Sequence, residues 1–237
     1  AQSLSAIKLE VQAVYLDPLT KFPPLPKFTF RDYVVAEHSV RSGERGKASM
    51  KWWLERIPTL PPVLALPQHS KLPRRARMAC KALTIPKDRW EALISHGRSM
   101  QLSPSMIFYG MLAEVWAMWS SVRHFTLSVL VSRRLPLHPD VGAILGSYYS
   151  VFPFEIDFSR DEPFLDRIAT LTAQMIDMHR NRWCSGVEVM GEINRHLGRK
   201  AQAAVPYVLS SGVAASRLEG VPGALMHSKD HVYLCYD

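Results

Sequence analysis

Residues 125–132, FTLSVLVS, constrain this chain more than any other stretch. The run is rich in β-branched and apolar residues and short enough to be a strand. It carries too many apolar side chains for one face to lie in water. It therefore reads as the central strand of a sheet that is covered on both sides. The covering helices are legible as well. In SPSMIFYGMLAEVWAMWSS, Ser103 reads as an N-cap and Pro104 as the first helical residue, and the helix that follows is apolar on nearly all sides, as a buried helix is. EPFLDRIATLTAQMIDMH puts Leu165, Ile168, Leu171, Met175 and Met178 on one face of a long amphipathic helix.

The remaining segments fit a sheet with helices packed on it. SVFPFEID, RMACKALTIP, VPYVLSSG and HVYLCYD read as further strands. Leu4, Ile7, Leu9, Val11 and Val14 mark a first helix over residues 1–15, which Asp17-Pro18 ends. KFPPLPKFTFRDYV is an extended connector into a helix that begins at Arg31, is interrupted at Gly43 and Gly46, and resumes around KASMKWWLERI, where Trp52, Trp53 and Ile57 bury one face. PTLPPVLALP cannot be helical and reads as a strap anchored by its leucines. A short helix opens at Lys87 or Asp88 and runs through Ile94, with a lobe boundary near Pro86. Intermixed helices and strands with long connectors imply a mixed α/β sandwich of two lobes. There is no internal repeat, no Gly-x-Gly-x-x-Gly and no Walker loop.

Bulk properties exclude several classes. A hydrophobic content of 47% is ordinary for a folded chain. The richest apolar run, Met106 to Trp119, is broken by Glu114 and falls short of the roughly 18 residues a bilayer needs. With no basic leader or apolar signal core at Ala1, a cytoplasmic location is expected. Cys80, Cys184 and Cys235 form no Cys-x-x-Cys pair, which argues for reduced thiols and against a zinc knuckle. The net charge of +8 suggests an anionic partner. The one dense basic cluster, KLPRRAR at 71–77, lacks interleaved aromatics and reads as a solvated loop, so no nucleic-acid partner is expected. His227 and His231 are four apart before a strand, a weak metal pattern, and no metal is expected. His179, inside a helix, reads as a surface or packing residue.

WCSGVEV, residues 183–189, invites comparison with a nucleophile elbow, but only one glycine flanks Ser185. Glu188 follows three residues later, and then Val189, Ile193 and Leu197 at helical spacing. That is a capping box, with Gly198 ending the helix in a left-handed conformation. On this reading Ser185→Ala costs about 1 kcal/mol.

Six stretches in order, FTFRDYVVAEH, WWLERIPTLPPVLALP, LSPSMIFYGMLAEVWAMWS, FTLSVLVSRRLPLHPDVGAILGSYYS, RWCSGVEV and VPYVLSSG, resemble the heterocyclization domains of nonribosomal peptide synthetases. These form a branch of the condensation-domain superfamily with the chloramphenicol-acetyltransferase-like fold. The resemblance covers almost the whole chain, and it makes SGVEV a structural helix start. It implies that residues 1–86 are the end of an N-lobe and residues 87–237 most of a C-lobe.

The resemblance also implies an activity. Such domains join an acyl or peptidyl thioester to a Cys, Ser or Thr thioester and then close the side chain onto the new amide, expelling water to give thiazoline or oxazoline. Both substrates ride on phosphopantetheine arms of carrier-protein domains, beside an adenylation domain of the same synthetase. The chain itself is expected to bind no cofactor. Cyclodehydration in the family leans on a threonine and an aspartate, matched here by Ser210 and Cys235. The family's Gly-Asp-Phe-Thr-Ser is matched by GSYYS, so Ser147 stands at its aspartate. A slip in the register would put Asp237 or Asp230 in place of Cys235. The family's Asp-x-x-x-x-Asp pair directly precedes the point where the match begins, AQS, so the chain reads as a piece of the domain. Loss of both aspartates favours, for this chain taken alone, a rival reading: a noncatalytic domain that docks carriers or holds the synthetase together.

Overall fold

The computed structural model describes residues 2–67, 79–120, 122–199, 203–211 and 231–236. The basic KLPRRAR cluster, His227, Asp230 and Asp237 lie outside them. The helices are α1 (Gln2–Leu16), α2 (Phe30–Ser42), α3 (Glu44–Arg56), α4 (Lys87–Ser99), α5 (Pro104–Trp119), α6 (Phe164–Arg180) and α7 (Gly186–His196). The strands are β1 (Ala79–Thr84), β2 (His124–Ser132), β3 (Tyr149–Asp157), β4 (Val208–Leu209) and β5 (His231–Tyr236). No helix among the described residues is long and apolar enough to cross a membrane.

As its composition requires, β2 is central. It pairs antiparallel with β3 from His124↔Asp157 to Ser132↔Tyr149, and parallel with β4 at Ser128↔Val208 and Val129↔Leu209. Its other-edge groups go partly to the proline segment: the Thr126 amide donates to the Pro62 carbonyl (2.7 Å) and the Leu64 amide to the Thr126 carbonyl (3.0 Å). The segment expected to be a surface strap is thus also a parallel neighbour of β2, bridged at Val63↔Thr126 and anchored by buried Leu64. Since Ser128 turns its amide toward Tyr207, the opposed Pro153 points away from β2, so its missing N–H costs no ladder bond. Strands β1 and β5 form a separate antiparallel pair, Ala79↔Tyr236 through Thr84↔His231.

One hydrophobic core unites Phe125, Leu127 and Val129 with Met106, Ile107 and Ala113 of α5, Ile168 and Leu171 of α6, Val189 and Ile193 of α7, and Trp53 of α3. Thr126 and Ser128 on the alternate face are also buried, and their hydroxyls are satisfied by the carbonyls of Pro61 (2.7 Å) and Val205 (2.8 Å). Ser103 caps α5 as expected, accepting from the Met106 amide (3.3 Å). A Cβ on Gly110 would overlap Ile168, so this glycine sets how closely α5 and α6 approach. Trp53 stacks on Phe152, with ring centroids 5.5 Å apart, and donates its indole N–H to the Asn181 carbonyl (3.0 Å). Only Gly43 interrupts the second helical region. Gly46 lies in the first turn of α3, where a Cβ would strike the Arg41 carbonyl.

Local signals start α2 and end α7 but are overruled at the start of α7. Thr29 and Asp32 form a full capping box at α2. Gly198 has φ +64°, its amide bonds the Arg195 carbonyl, and the Arg199 amide bonds the Asn194 carbonyl, a Schellman ending for α7. Ser185 does occupy the N-cap position of α7, but its side chain makes no capping bond, and Glu188 pairs with Arg41 at 3.5 Å instead of closing a box. Ser150 on β3 takes over: its buried hydroxyl accepts the Gly186 amide at 3.2 Å, and a Cβ on Gly186 would strike the Val151 carbonyl.

The cost predicted for Ser185 therefore moves to Ser150. In urea denaturation Ser150→Ala should lose about 1–3 kcal/mol, because it strands a buried amide. Ser185→Ala should stay within about 0.5 kcal/mol of the parent. The reverse order would contradict this assignment.

Candidate functional site

Where β2 ends, the chain delivers Arg133 and Arg134 into a layer that the sequence expectation did not contain. Arg133 makes a charge-assisted bond from Nη2 to Glu37 Oε1 on α2 at 2.8 Å, and both side chains are mostly buried. Its Nε donates to the Arg182 carbonyl (3.1 Å) and its amide to the Tyr148 carbonyl. Tyr33 of α2 donates its hydroxyl to the Arg133 carbonyl and accepts from the Leu135 amide at 3.2 Å. The end of β2 is thereby tied to α2, to the turn after α6 and to the segment that begins β3.

Arg134 secures the loop that leads to Ser147. One Nη donates to the carbonyls of Val141 and Ile144 (2.8 Å to the latter), the other to Ser3 Oγ at 3.1 Å, and the guanidinium lies 3.9 Å above the Tyr148 ring. Ser3, in the first turn of α1, donates to the Gly146 carbonyl (2.9 Å) and accepts the Gly146 amide (3.1 Å). Phe30 closes the other side, and a Cβ on Gly146 would overlap its ring. Ser147 itself is exposed, between the clamped Gly146 and buried Tyr148. The start of α1 and the position matching the family aspartate are therefore direct neighbours.

Ser210 is exposed immediately after β4, at the same end of the sheet but across β2 from Ser147. Beside it, Ser211 Oγ donates to Ser105 Oγ at the head of α5 (3.0 Å), and the Ser211 backbone bonds the Tyr109 hydroxyl. Cys235 lies on β5 in the separate two-stranded sheet, opposite Cys80 in the register. The three positions named from sequence thus divide into Ser147 and Ser210 at one sheet end and Cys235 on another element. The network of Arg133, Glu37, Tyr33 and Arg134 was not anticipated. Its only trace in the sequence is the paired arginine after an apolar strand.

Three further groups lie near this layer. Cys184 is buried, and that burial pushes its thiol up to about 11, so it is protonated and inert at neutral pH. This agrees with reading WCSGVEV as structural. The Tyr148 hydroxyl is buried with no hydrogen-bond partner among the described residues. His179 is half-buried, accepts from Arg182 through Nδ1 at 2.9 Å, and is held below the ordinary imidazole range by burial and then by the Arg182 charge.

Comparison with known proteins gives a family. The family model described as Condensation domain matches residues 1–194. Pyochelin synthetase PchF of Pseudomonas aeruginosa is 30% identical over 214 residues, which is 90% of this chain and 12% of that protein. Phenyloxazoline synthase MbtB of Mycobacterium sp. (strain MCS) is 29% identical over 200 residues, 82% of this chain and 17% of that protein. Among solved structures, the EpoB cyclization-docking bidomain from Sorangium cellulosum superposes with a TM-score of 0.82 at 32% identity, covering 88% of this chain and 42% of that one. The chain therefore spans a small part of the curated relatives and under half of the solved bidomain. Its architecture is the chloramphenicol-acetyltransferase-like fold, in part.

Two outcomes test this geometry. Tyr148→Phe removes an unsatisfied buried hydroxyl and should leave stability unchanged or raise it by about 1 kcal/mol in thermal or urea unfolding. A clear loss would show that the hydroxyl has a partner. His179 binds protons less readily folded than unfolded, so the folded form should lose stability as pH falls through the ordinary imidazole pKa of about 6.5. Unfolding curves from pH 8 to 5 should show a smaller loss in His179→Asn than in the parent, and equal slopes would contradict the assignment.

Proposed function

Because this chain belongs to the condensation-domain family, in its heterocyclization branch, we propose that it supplies part of a domain that condenses carrier-bound thioesters and closes the product to a thiazoline or oxazoline. The observation that carries this is the sheet end. The first turn of α1, the clamped loop before Ser147 and the exposed end of β4 at Ser210 converge there, in a chain whose motifs keep the family's order. Residues 1–86 are assigned to the end of the N-lobe and residues 87–237 to the C-lobe, with Trp53 and the 61–64 segment carrying the first part into the core of the second.

The partners follow from that role: carrier-protein domains that present phosphopantetheine arms, and the adenylation domain of the same synthetase. The net charge of +8 complements an acidic carrier face. Condensation asks the domain to hold two thioesters in near-attack geometry, which is positioning rather than covalent chemistry. Ring closure asks more, since a proton must reach the departing oxygen. Ser210 keeps a hydroxyl at the family threonine but lacks the methyl group that restricts its rotamer. Cys235 replaces a carboxylate by a thiol with an ordinary pKa of about 8.5, a weak donor and acceptor that stays mostly neutral. Ser147 replaces the aspartate of the Gly-Asp-Phe-Thr-Ser segment by a neutral hydroxyl. A purely docking role is not favoured, since the relatives are named for the synthetases and the oxazoline synthase they are.

On this account residues 1–237 support peptide-bond formation better than ring closure. The test grafts them into an active heterocyclization domain and follows linear and cyclized products by mass with loaded carriers. Linear product should accumulate, with ring formation restored by Cys235→Asp. Efficient ring formation by the unmodified graft would overturn the role given to Cys235, and no product of either kind would overturn the proposed function.

A further inference from the structure

We infer that Cys80 and Cys235 form a redox pair, which a small disulfide of the oxidised-glutathione type closes into a cross-strand bond. The two cysteines stand directly opposite one another in the antiparallel register of β1 and β5. Directly opposed residues share one face of a sheet and have Cα atoms about 4.5–5.5 Å apart, inside the roughly 4.4–6.8 Å that a disulfide spans. A slip of the register by one residue would put the cysteines on opposite faces, so the juxtaposition belongs to this pairing alone. His231 shares the face of Cys235 but lies four residues along β5, roughly 13 Å away, which leaves a dithiol rather than a metal set. The third cysteine, Cys184, is buried in the core with its thiol pushed up to about 11, so it does not compete.

Closure is an exchange in two steps. The thiolate of one cysteine attacks a sulfur of the small disulfide, forming a mixed disulfide and releasing one small thiol. The thiolate of the other then attacks the protein sulfur of that mixed disulfide, forming the Cys80–Cys235 bond and releasing the second small thiol. The protein gives up two electrons and two protons, and the small disulfide takes up both to become two thiols. At the ordinary thiol pKa of about 8.5 the thiolate is a minor species at neutral pH, and it is sufficient to carry the exchange. The basic KLPRRAR run ends three residues before Cys80, and the chain carries a net charge of +8, which favours the approach of an anionic disulfide. The bond has something to hold: among the described residues this sheet has two strands, and a two-stranded pair is marginal in water. Oxidation therefore steadies β5 on β1, and reduction releases it.

The test equilibrates the whole chain over a series of oxidised-to-reduced glutathione ratios, quenches with acid, digests without reduction and maps the peptides by mass. A peptide pair joined through Cys80 and Cys235 is expected, with two hydrogens lost from the intact mass, and it should revert when reduced glutathione is added. The equilibrium constant of the bond against glutathione should be about tenfold or more larger in the folded chain than in urea, because the fold holds the partners together. Cys184→Ser should leave the bond unchanged, while Cys80→Ser should stop at a mixed disulfide on Cys235. Backbone amides of residues 79–84 and 231–236 should exchange with deuterium more slowly in the oxidised form, and equal exchange would overturn the steadying of β5. Glutathione adducts on both cysteines without a link, a link to Cys184, links between chains, or an equal constant in urea would overturn the pair. The mapping uses the parent chain, so it decides the matter even where a variant does not fold. None of these outcomes depends on the ring-formation assay of the grafted domain.

Discussion

Everything in this chain is arranged around a strand that has no free side. Phe125, Leu127 and Val129 are excluded from water on one face of β2, and Thr126 and Ser128 on the other. β3 takes one edge, while the proline segment and β4 share the other. In such surroundings every backbone amide and hydroxyl needs a protein partner, because an unmet buried group costs more than an ordinary hydrogen bond gives. The carbonyls of Pro61, Pro62, Val205 and Tyr207 are those partners. Connectors that carry them are held to the sheet as firmly as the regular elements.

The same strand leads directly into the polar layer. Once β2 leaves the core, its next two residues are arginines, and each is committed to structure: Arg133 to Glu37 and the turn after α6, Arg134 to the loop before β3 and to Ser3. These bonds fix loops that would otherwise wander, and they leave Ser147 and Ser210 exposed on either side of the strand's end. The polar scaffold around the end of β2 is thereby closed on α1, α2 and the turn after α6. The fold so held superposes on the cyclization-docking bidomain with a TM-score of 0.82.

Much of this was legible from residue order. The central strand, the buried helix capped by Ser103, the amphipathic face of α6 and the glycine ending of α7 all follow from local periodicity and capping rules. What escaped was non-local. Ser150 displaced Ser185 as the anchor of α7 from 35 positions upstream, through a strand–helix contact that no S-x-x-E pattern encodes. The proline segment read as a strap anchored by its leucines, yet its pairing with β2 uses only the Leu64 amide and the Pro62 carbonyl, which proline's missing N–H does not affect. The Arg133–Glu37 pair spans 96 residues and has no sequence signature. The positions Ser147, Ser210 and Cys235 came from family resemblance rather than from spacing, and nothing in the sequence pointed to Cys80 as the neighbour of Cys235 in the β1–β5 register.

The central claim is that carrier arms deliver their thioesters to the end of the sheet where β2 meets Arg133. It can be tested with a carrier whose phosphopantetheine arm ends in a thiol-reactive electrophile. Single cysteines would replace Ser147, Ser210 or, at the opposite end of β3, exposed Ser159, with Cys80 and Cys235 changed to serine. Strand length separates the two ends by roughly 30 Å. Rapid covalent capture at residues 147 and 210, with little at 159, measured by intact mass, is the predicted result. Equal capture at all three, or capture confined to 159, would contradict it.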